Sequence, residues 1–446
     1  MTNEQSFPSG KELLDRINSS KAAELFSFLY GADGVDSARR RYCRLIDEFP
    51  EAAENVRVFS VPGRTELGGN HTDHNRGKVL AASVQLDNAA AVCPRQDKQV
   101  FFRSVGHPDV RVDLSELVPR EDEKGNTEAL VRGIAAEFAA RGTPVGGFTA
   151  NAASMVLTGS GLSSSAAVEV LFAKIFDNLY CGGKRSALEL AQIGQKAENV
   201  YFGKPCGLMD QTACASGGAV SIDFGDSQNP LVKQIAFDPE AAGFALCVVN
   251  TKGTHADLTP DYAAIPAEMK AAAGFFGKTV LRELDEETFL SCPEDLRKAV
   301  GDRAILRALH FFNENRRVDA MMAALENLNA IPPDAPPPEK KKLMETFLAL
   351  VNESGDSSWE LLQNIYSPKN PGEQGVSLAL ALTKNFLGKR SGACRVHGGG
   401  FAGTIQVYLP LNRLQEYRNL MEGIFGNGTL TVLRIRSQGA IELDFR

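Results

Sequence analysis

Residue types able to hold a phosphate gather in 156–168, Val-Leu-Thr-Gly-Ser-Gly-Leu-Ser-Ser-Ser-Ala-Ala-Val. An apolar run ends at Leu157, and Gly159 and Gly161 let the backbone approach a ligand closely. Ser160, Ser163, Ser164 and Ser165 add hydroxyls, and Ala166, Ala167, Val170, Leu171 and Ile175 then recur at helical spacing. The serines therefore stand at a helix start, where exposed N–H groups and the positive dipole end favour an anion. A serine hydroxyl there can also ligate a hard cation. Taken alone, the glycines favour a serine-capped helix after a glycine turn. It lacks the lysine of a Walker loop and does not continue as a dinucleotide fingerprint.

A second polar stretch, 64–78, reads Arg-Thr-Glu-Leu-Gly-Gly-Asn-His-Thr-Asp-His-Asn-Arg-Gly-Lys. It is dense in groups that suit a polyol or a phosphate, and it lies between apolar strands expected at 56–61 and 79–86. Loops held by strands concentrate binding residues. A helix expected over 186–202 opens on the capping-box pattern Ser186-Ala-Leu-Glu189 and carries Glu198 near its end. Gly203-Lys-Pro-Cys-Gly-Leu-Met-Asp210-Gln211 follows it. Far downstream, Arg395-Val-His-Gly-Gly-Gly-Phe-Ala-Gly403 leads into a strand expected at 404–409.

The elements that must position these groups alternate in kind. Helical spacing covers 10–55, and Pro62-Gly63 is expected to stop the first strand. Further strands are expected at 88–93, 98–104, 109–114, 147–157, 219–224 and 243–249, with a helix over 127–141. Helices follow at 260–273, 277–284, 303–328, 340–352 and 375–387, and strands at 429–436 and 439–445. The proline-rich 331–339 reads as a stiff connector.

With 446 residues the chain has room for two domains, or three by length alone. A net charge of −7 argues against generic nucleic-acid binding. No apolar run is long enough to span a bilayer, and the first residues carry no signal-peptide core, which leads us to expect a cytoplasmic protein. The eight cysteines form no Cys-x-x-Cys pair and read as buried free thiols.

Together the segments resemble the GHMP small-molecule kinases and, within them, the galactokinase family. Pro62-Gly63-Arg64 with Gly69-x-His71-Thr72-Asp73 resembles that family's sugar signature, and 159–167 its ATP-phosphate loop. His397–Gly403 is similar to its third motif, Cys206–Gln211 to a fourth segment, and 250–262 to a further sugar-contacting stretch. The resemblance implies a two-domain α+β fold: an N-terminal domain over 1–225 like ribosomal S5 domain 2, and a ferredoxin-like C-terminal domain over 226–446. It implies phosphoryl transfer from ATP to galactose, with Asp210 and Arg64 as the catalytic pair. Sugar contacts fall on Asn70, His71, Asp73, Gly207 and Tyr262. Nucleotide contacts fall on Gly159, Ser160, Gly161, Leu162, Ser163, Ser164 and Ser165, with Mg²⁺ on Ser165 and Glu198. A monomer acting on a small-molecule sugar is expected, with neither nucleic acid nor membrane as partner.

The chain also departs from the family pattern. Asn70 stands where the family usually has Glu, Glu66 where it has Asn, His74 where it has Tyr and His397 where it has Thr. The glutamate that Asn70 replaces faces the sugar C6 hydroxyl in family members, so a C6-modified sugar such as galacturonate is an alternative substrate. A sugar sensor without turnover is a second alternative, disfavoured because Ser163 through Ala167, Asp210 and Arg64 are all present.

Overall fold

A computed structural model describes residues 8–49, 53–156, 162–253, 258–332, 337–388 and 392–445. The chain is α+β, built on two sheets. Helices α1 (Gly10–Ile17), α2 (Ser20–Tyr30) and α3 (Val35–Asp47) lead into β1 (Arg57–Gly68), β2 (Lys78–Pro94), β3 (Gln99–Ser104) and β4 (Val110–Asp113). Then come α4 (Thr127–Ala140), β5 (Phe148–Ser154), α5 (Ser164–Tyr180), α6 (Ala187–Lys196), α7 (Met209–Ser216), β6 (Ala219–Asp223) and β7 (Leu231–Ile235). The second half opens with β8 (Phe244–Asn250) and α8 (Thr259–Phe275), then α9 (Glu286–Phe289), α10 (Pro293–Val300), α11 (Asp302–Ala330), α12 (Pro337–Ser357) and α13 (Gly375–Leu387). It closes with β9 (Ala393–His397), β10 (Thr404–Pro410), α14 (Leu414–Phe425), β11 (Leu430–Leu433) and β12 (Ile441–Glu442).

The first sheet runs β12-β1-β2-β5-β3-β4, with β6 and β7 extending from the other part of the long β2; the second runs β11-β8-β10-β9. Pairing is antiparallel except between β3 and β5. Alternation along β1 and β2 explains why both faces of the first sheet are covered. Phe59, Ala90 and Val92 face the cluster under α4–α7, and Val58, Ala89 and Ala91 face the one under α1–α3. A third cluster joins the two sheets: Leu67, Leu80 and Ala82 meet Leu246, Val248 and Tyr408, with α11 and α12 packed against them.

Several sequence expectations change. Pro62-Gly63 does not end β1, because the register shifts there and again between Glu66 and Gly68. A bulge takes up a proline that has no N–H to give the ladder, so the strand continues into the expected loop. The two strands expected at 79–86 and 88–93 are one continuous β2. In place of the helix at 277–284 there is only a 3₁₀ turn, Leu281–Glu283. α7, α9, α10, α14, β7 and β9 have no counterpart in the sequence reading. β7 and β12 both join the first sheet, so the expected division at 225 does not follow the sheets. Among the described residues, no helix is long and apolar enough to cross a membrane.

Candidate active site

The bulged end of β1 carries Arg64 toward α7. Its Nε and one terminal nitrogen donate to the two oxygens of Asp210, at 2.7 and 2.8 Å. Ser163 Oγ donates to Asp210 Oδ2 at 2.6 Å. The Arg64 amide donates to the Leu162 carbonyl at 3.1 Å, which docks the end of the glycine-serine segment against the bulge. A side chain at 63 would crowd this contact, since a Cβ there would stand 3.0 Å from that same carbonyl. Ser163 is the N-cap residue of α5 but does not cap it. Its backbone is left-handed, φ 57°, and its hydroxyl is engaged by Asp210 instead. The first-turn N–H groups of α5 are therefore not capped by this side chain.

Burial alone would push the Asp210 carboxyl up. The Arg64 charge and hydrogen bonds, with Ser163, more than offset it and hold the group below the usual carboxylate range.

Glu198 lies in the six-residue π-turn Ala197–Phe202 that continues α6, and its residue is 3 % exposed. Gln211 Nε2 donates to its Oε2 at 3.1 Å, and the Lys204 ammonium stands 3.4 Å from its Oε1. Gln211 also donates to the buried Glu169 at 2.9 Å. Burial and the neighbouring Glu198 charge raise the Glu169 carboxyl well above its usual range. Sequence reasoning had missed Glu169, Lys204 and the bridging role of Gln211.

A cavity of about 590 Å³ brings together Arg64, Asn70, His71, Asp73, Ser165, Glu198, Gly207, Asp210 and Tyr262. Asp73 sits in a 3₁₀ turn after β1, against the 203–208 segment. A Cβ at Gly207 would fall 1.7 Å from Asp73 Oδ2, so any side chain there would displace the Asp73 carboxylate. His71 Nε2 donates to the Gly399 carbonyl at 2.9 Å, and burial lowers its pKa to about 4, so the ring is neutral at pH 7. Tyr262 on α8 donates to the Gly400 carbonyl at 3.0 Å, and burial pushes its phenol up to about 12. The 397–403 motif thus presents carbonyls to the sugar-side groups.

Not every expected site residue reaches the cavity. Gly159, Ser160 and Gly161 lie outside the described residues. The Leu162 side chain is buried in the core between the sheets, so only its backbone is available to a nucleotide. Ser164 begins α5. Asn70 is 1 % exposed, and its side-chain amide is committed within the protein. Its Nδ2 donates to both Glu66 oxygens, at 3.1 and 3.3 Å, and to the Gly398 carbonyl at 2.9 Å. Its Oδ1 accepts from Asn364 at 2.9 Å. A sugar carboxylate would meet an occupied amide backed by Glu66. Glu66 is itself 2 % exposed and paired with Arg395. Burial pushes the Glu66 carboxyl up despite the Arg395 and Arg64 charges beside it.

The matching comparisons fall on these same segments. The family described as "Galactokinase galactose-binding signature" matches residues 46–94, and "GHMP kinases N terminal domain" matches 129–218. A galactokinase of Streptomyces coelicolor is 34% identical over 390 residues, covering 86% of this chain and 92% of that one. The chain belongs to the galactokinase family. A galactokinase of Glaesserella parasuis is 29% identical over 83% of this chain and 89% of its own. Among solved structures, Lactococcus lactis galactokinase complexed with galactose shares the fold at TM-score 0.72 and 23% identity, over 95% and 99% of the two chains. The Methanococcus jannaschii mevalonate kinase also shares it, at TM-score 0.57 and 15% identity, over 85% and 98%. In this galactokinase-family chain the galactose-binding match runs from the end of α3 through β1 and the turn after it to the end of β2, and the kinase match from α4 to the end of α7.

Proposed function

We propose that the protein transfers the γ-phosphoryl group of ATP to the C1 hydroxyl of galactose, giving galactose 1-phosphate and ADP. The observation that carries this reading is the Asp210 carboxylate. It is gripped on both oxygens by Arg64 and touched by Ser163 at the wall of a cavity lined with sugar-type hydrogen-bonding groups. Phosphoryl transfer requires positioning and charge stabilisation more than covalent help from the protein. Asp210 orients the C1 hydroxyl and takes its proton as the O1–P bond forms and the bond to the β-phosphate oxygen breaks. Being held ionised, it is a weak base, so the proton moves late, once the attacking oxygen has lost electron density to phosphorus. Arg64 keeps Asp210 charged and adds positive potential beside the transferred group. A sensor without turnover is disfavoured by this same intact arrangement.

Among the described residues, no group of three or more His, Cys, Asp or Glu is placed to hold a metal. The hydroxyl of Ser165 and the carboxylate of Glu198 still fit Mg²⁺, a hard cation that takes few protein oxygens and keeps phosphate and water ligands. When bound, Mg²⁺ supplies neutralisation of the phosphate charge. Glu198→Gln is expected to raise the Mg²⁺ concentration for half-maximal rate by on the order of 10-fold or more. A magnesium titration of ADP release checks this, and an unchanged midpoint would remove Glu198 from the metal site.

The function is tested by ADP release with galactose, other hexoses, uronic acids and deoxy sugars. Galactose should give the highest kcat/KM. Faster turnover of another sugar, or ATP hydrolysis indifferent to sugar, would overturn the reading.

A further inference from the structure

Lys204 stands between the two halves of the proposed chemistry. Its loop, 203–208, joins the π-turn carrying Glu198 to α7 carrying Asp210, and it lines the same cavity as both. Its ammonium is 3.4 Å from Glu198 Oε1, its one ion pair among the described residues, and its side chain is 62 % exposed. Its charge also reaches Asp210 and is one of those that hold that carboxyl down. Two donors of Arg64 are meanwhile committed to Asp210, so part of the Arg64 charge is already neutralised before any phosphate arrives.

We propose that Lys204 is a further catalytic residue, which gives up Glu198 when the cation binds and moves onto the transferring phosphoryl group. The inference rests on the reading of Glu198 as the metal carboxylate. A divalent cation and an ammonium repel one another across one carboxylate, and the exposed Lys204 end of the pair can return to solvent while the cation takes over the buried Glu198 charge. Lys204 has a four-carbon flexible stem rooted in the cavity-lining 203–208 loop, so its ammonium stays over the cavity when it lets go. The γ-phosphoryl group then meets a mobile cation in addition to the fixed one at Arg64, where charge is spread over its oxygens.

The test uses the full chain and its Lys204→Met, Lys204→Arg and Glu198→Gln variants, with folding checked by circular dichroism. Mn²⁺ binding in the presence of galactose and a non-hydrolysable ATP analogue is followed by electron paramagnetic resonance, and kcat and KM by ADP release. Lys204→Met is expected to bind Mn²⁺ several-fold more tightly, because the competing cation is gone. It should also lose about 10²-fold in kcat with the galactose KM little changed. Lys204→Arg should recover most of that rate. If Lys204→Met leaves kcat near wild type while Glu198→Gln weakens Mn²⁺ binding, Lys204 is only a surface partner of Glu198 and the proposal falls. If Glu198→Gln leaves Mn²⁺ binding unchanged, the metal reading on which the proposal depends fails first, and galactose phosphorylation stands untouched.

Discussion

Asp210→Asn is expected to lower kcat by roughly 10²–10⁴-fold, the range lost with a general base and its positioning, while galactose and a non-hydrolysable ATP analogue still bind. The substitution is nearly isosteric but reverses the hydrogen bonding on one side of the group. The amide can accept from one Arg64 N–H and turns its own N–H groups toward the other donors, including the Ser163 hydroxyl. Arg64 is left 6 % exposed and without its counter-charge, so thermal stability should fall as well. Calorimetry for binding and ADP release for turnover separate the two effects. Near-normal turnover in a folded variant would take the base role from Asp210. The wild type also has a pH signature. Because the folded-state pKa of Asp210 is depressed, its ion pair contributes stability above the unfolded carboxylate value of about 3.9 and loses it as pH falls through the lower folded value. Asp210 therefore stays ionised throughout the neutral and mildly acidic range. Any acid limb of kcat seen near pH 6 belongs to another group.

What was legible in the sequence was what is local. The α5 helix start, the capping box of α6 and the sugar-type density of 64–78 all follow from neighbours within a few residues. The π-turn at the end of the expected 186–202 helix was not. An extra residue in one turn leaves no mark on hydrophobic spacing, yet it sets the position of Glu198. The support of the sugar turn was also hidden. His310 on α11 donates to the Asn70 carbonyl at 2.9 Å across 240 residues, and Glu314 accepts from the Gly69 amide at 3.0 Å across 245. Gln406 donates to Thr65 and to the Glu66 carbonyl, at 2.7 and 2.8 Å. Polar side chains on an apolar helix or strand give no sign of which distant backbone they satisfy. Glu66 and Asn70 were visible only as departures from a family pattern, and their contact with one another required the fold.

That contact supports the second large effect. Asn70→Glu would set a carboxylate where an amide N–H now stands 3.1 Å from Glu66, in a place where Arg395, 1 % exposed, is the cation paired with Glu66. One of the two acids would have to take up a proton or expel the turn, and the Gly398 carbonyl would lose its donor. Glu66→Asn alone would instead leave Arg395 buried without its carboxylate. Each single change is expected to cost about 3–5 kcal/mol of stability, as for a broken buried pair, and to lower kcat/KM for galactose. Exchanging the two residues, Glu66→Asn with Asn70→Glu, keeps one carboxylate and one amide in the corner and matches the arrangement usual in the resembling family. Asn364, which now donates to Asn70, remains a donor to the carboxylate introduced at 70. The exchanged protein should regain most of the lost stability and activity, a coupling measured by thermal unfolding and by kcat/KM on galactose, 6-deoxygalactose and galacturonate. With Glu66 behind an occupied Asn70 amide, the wild type should already reject galacturonate, and the exchanged protein should reject it as strongly. Additive losses in the exchanged protein would show that Glu66 and Asn70 act separately. Efficient turnover of galacturonate by the wild type would show that the Asn70 amide leaves Glu66 to meet the sugar, against the bonding seen here.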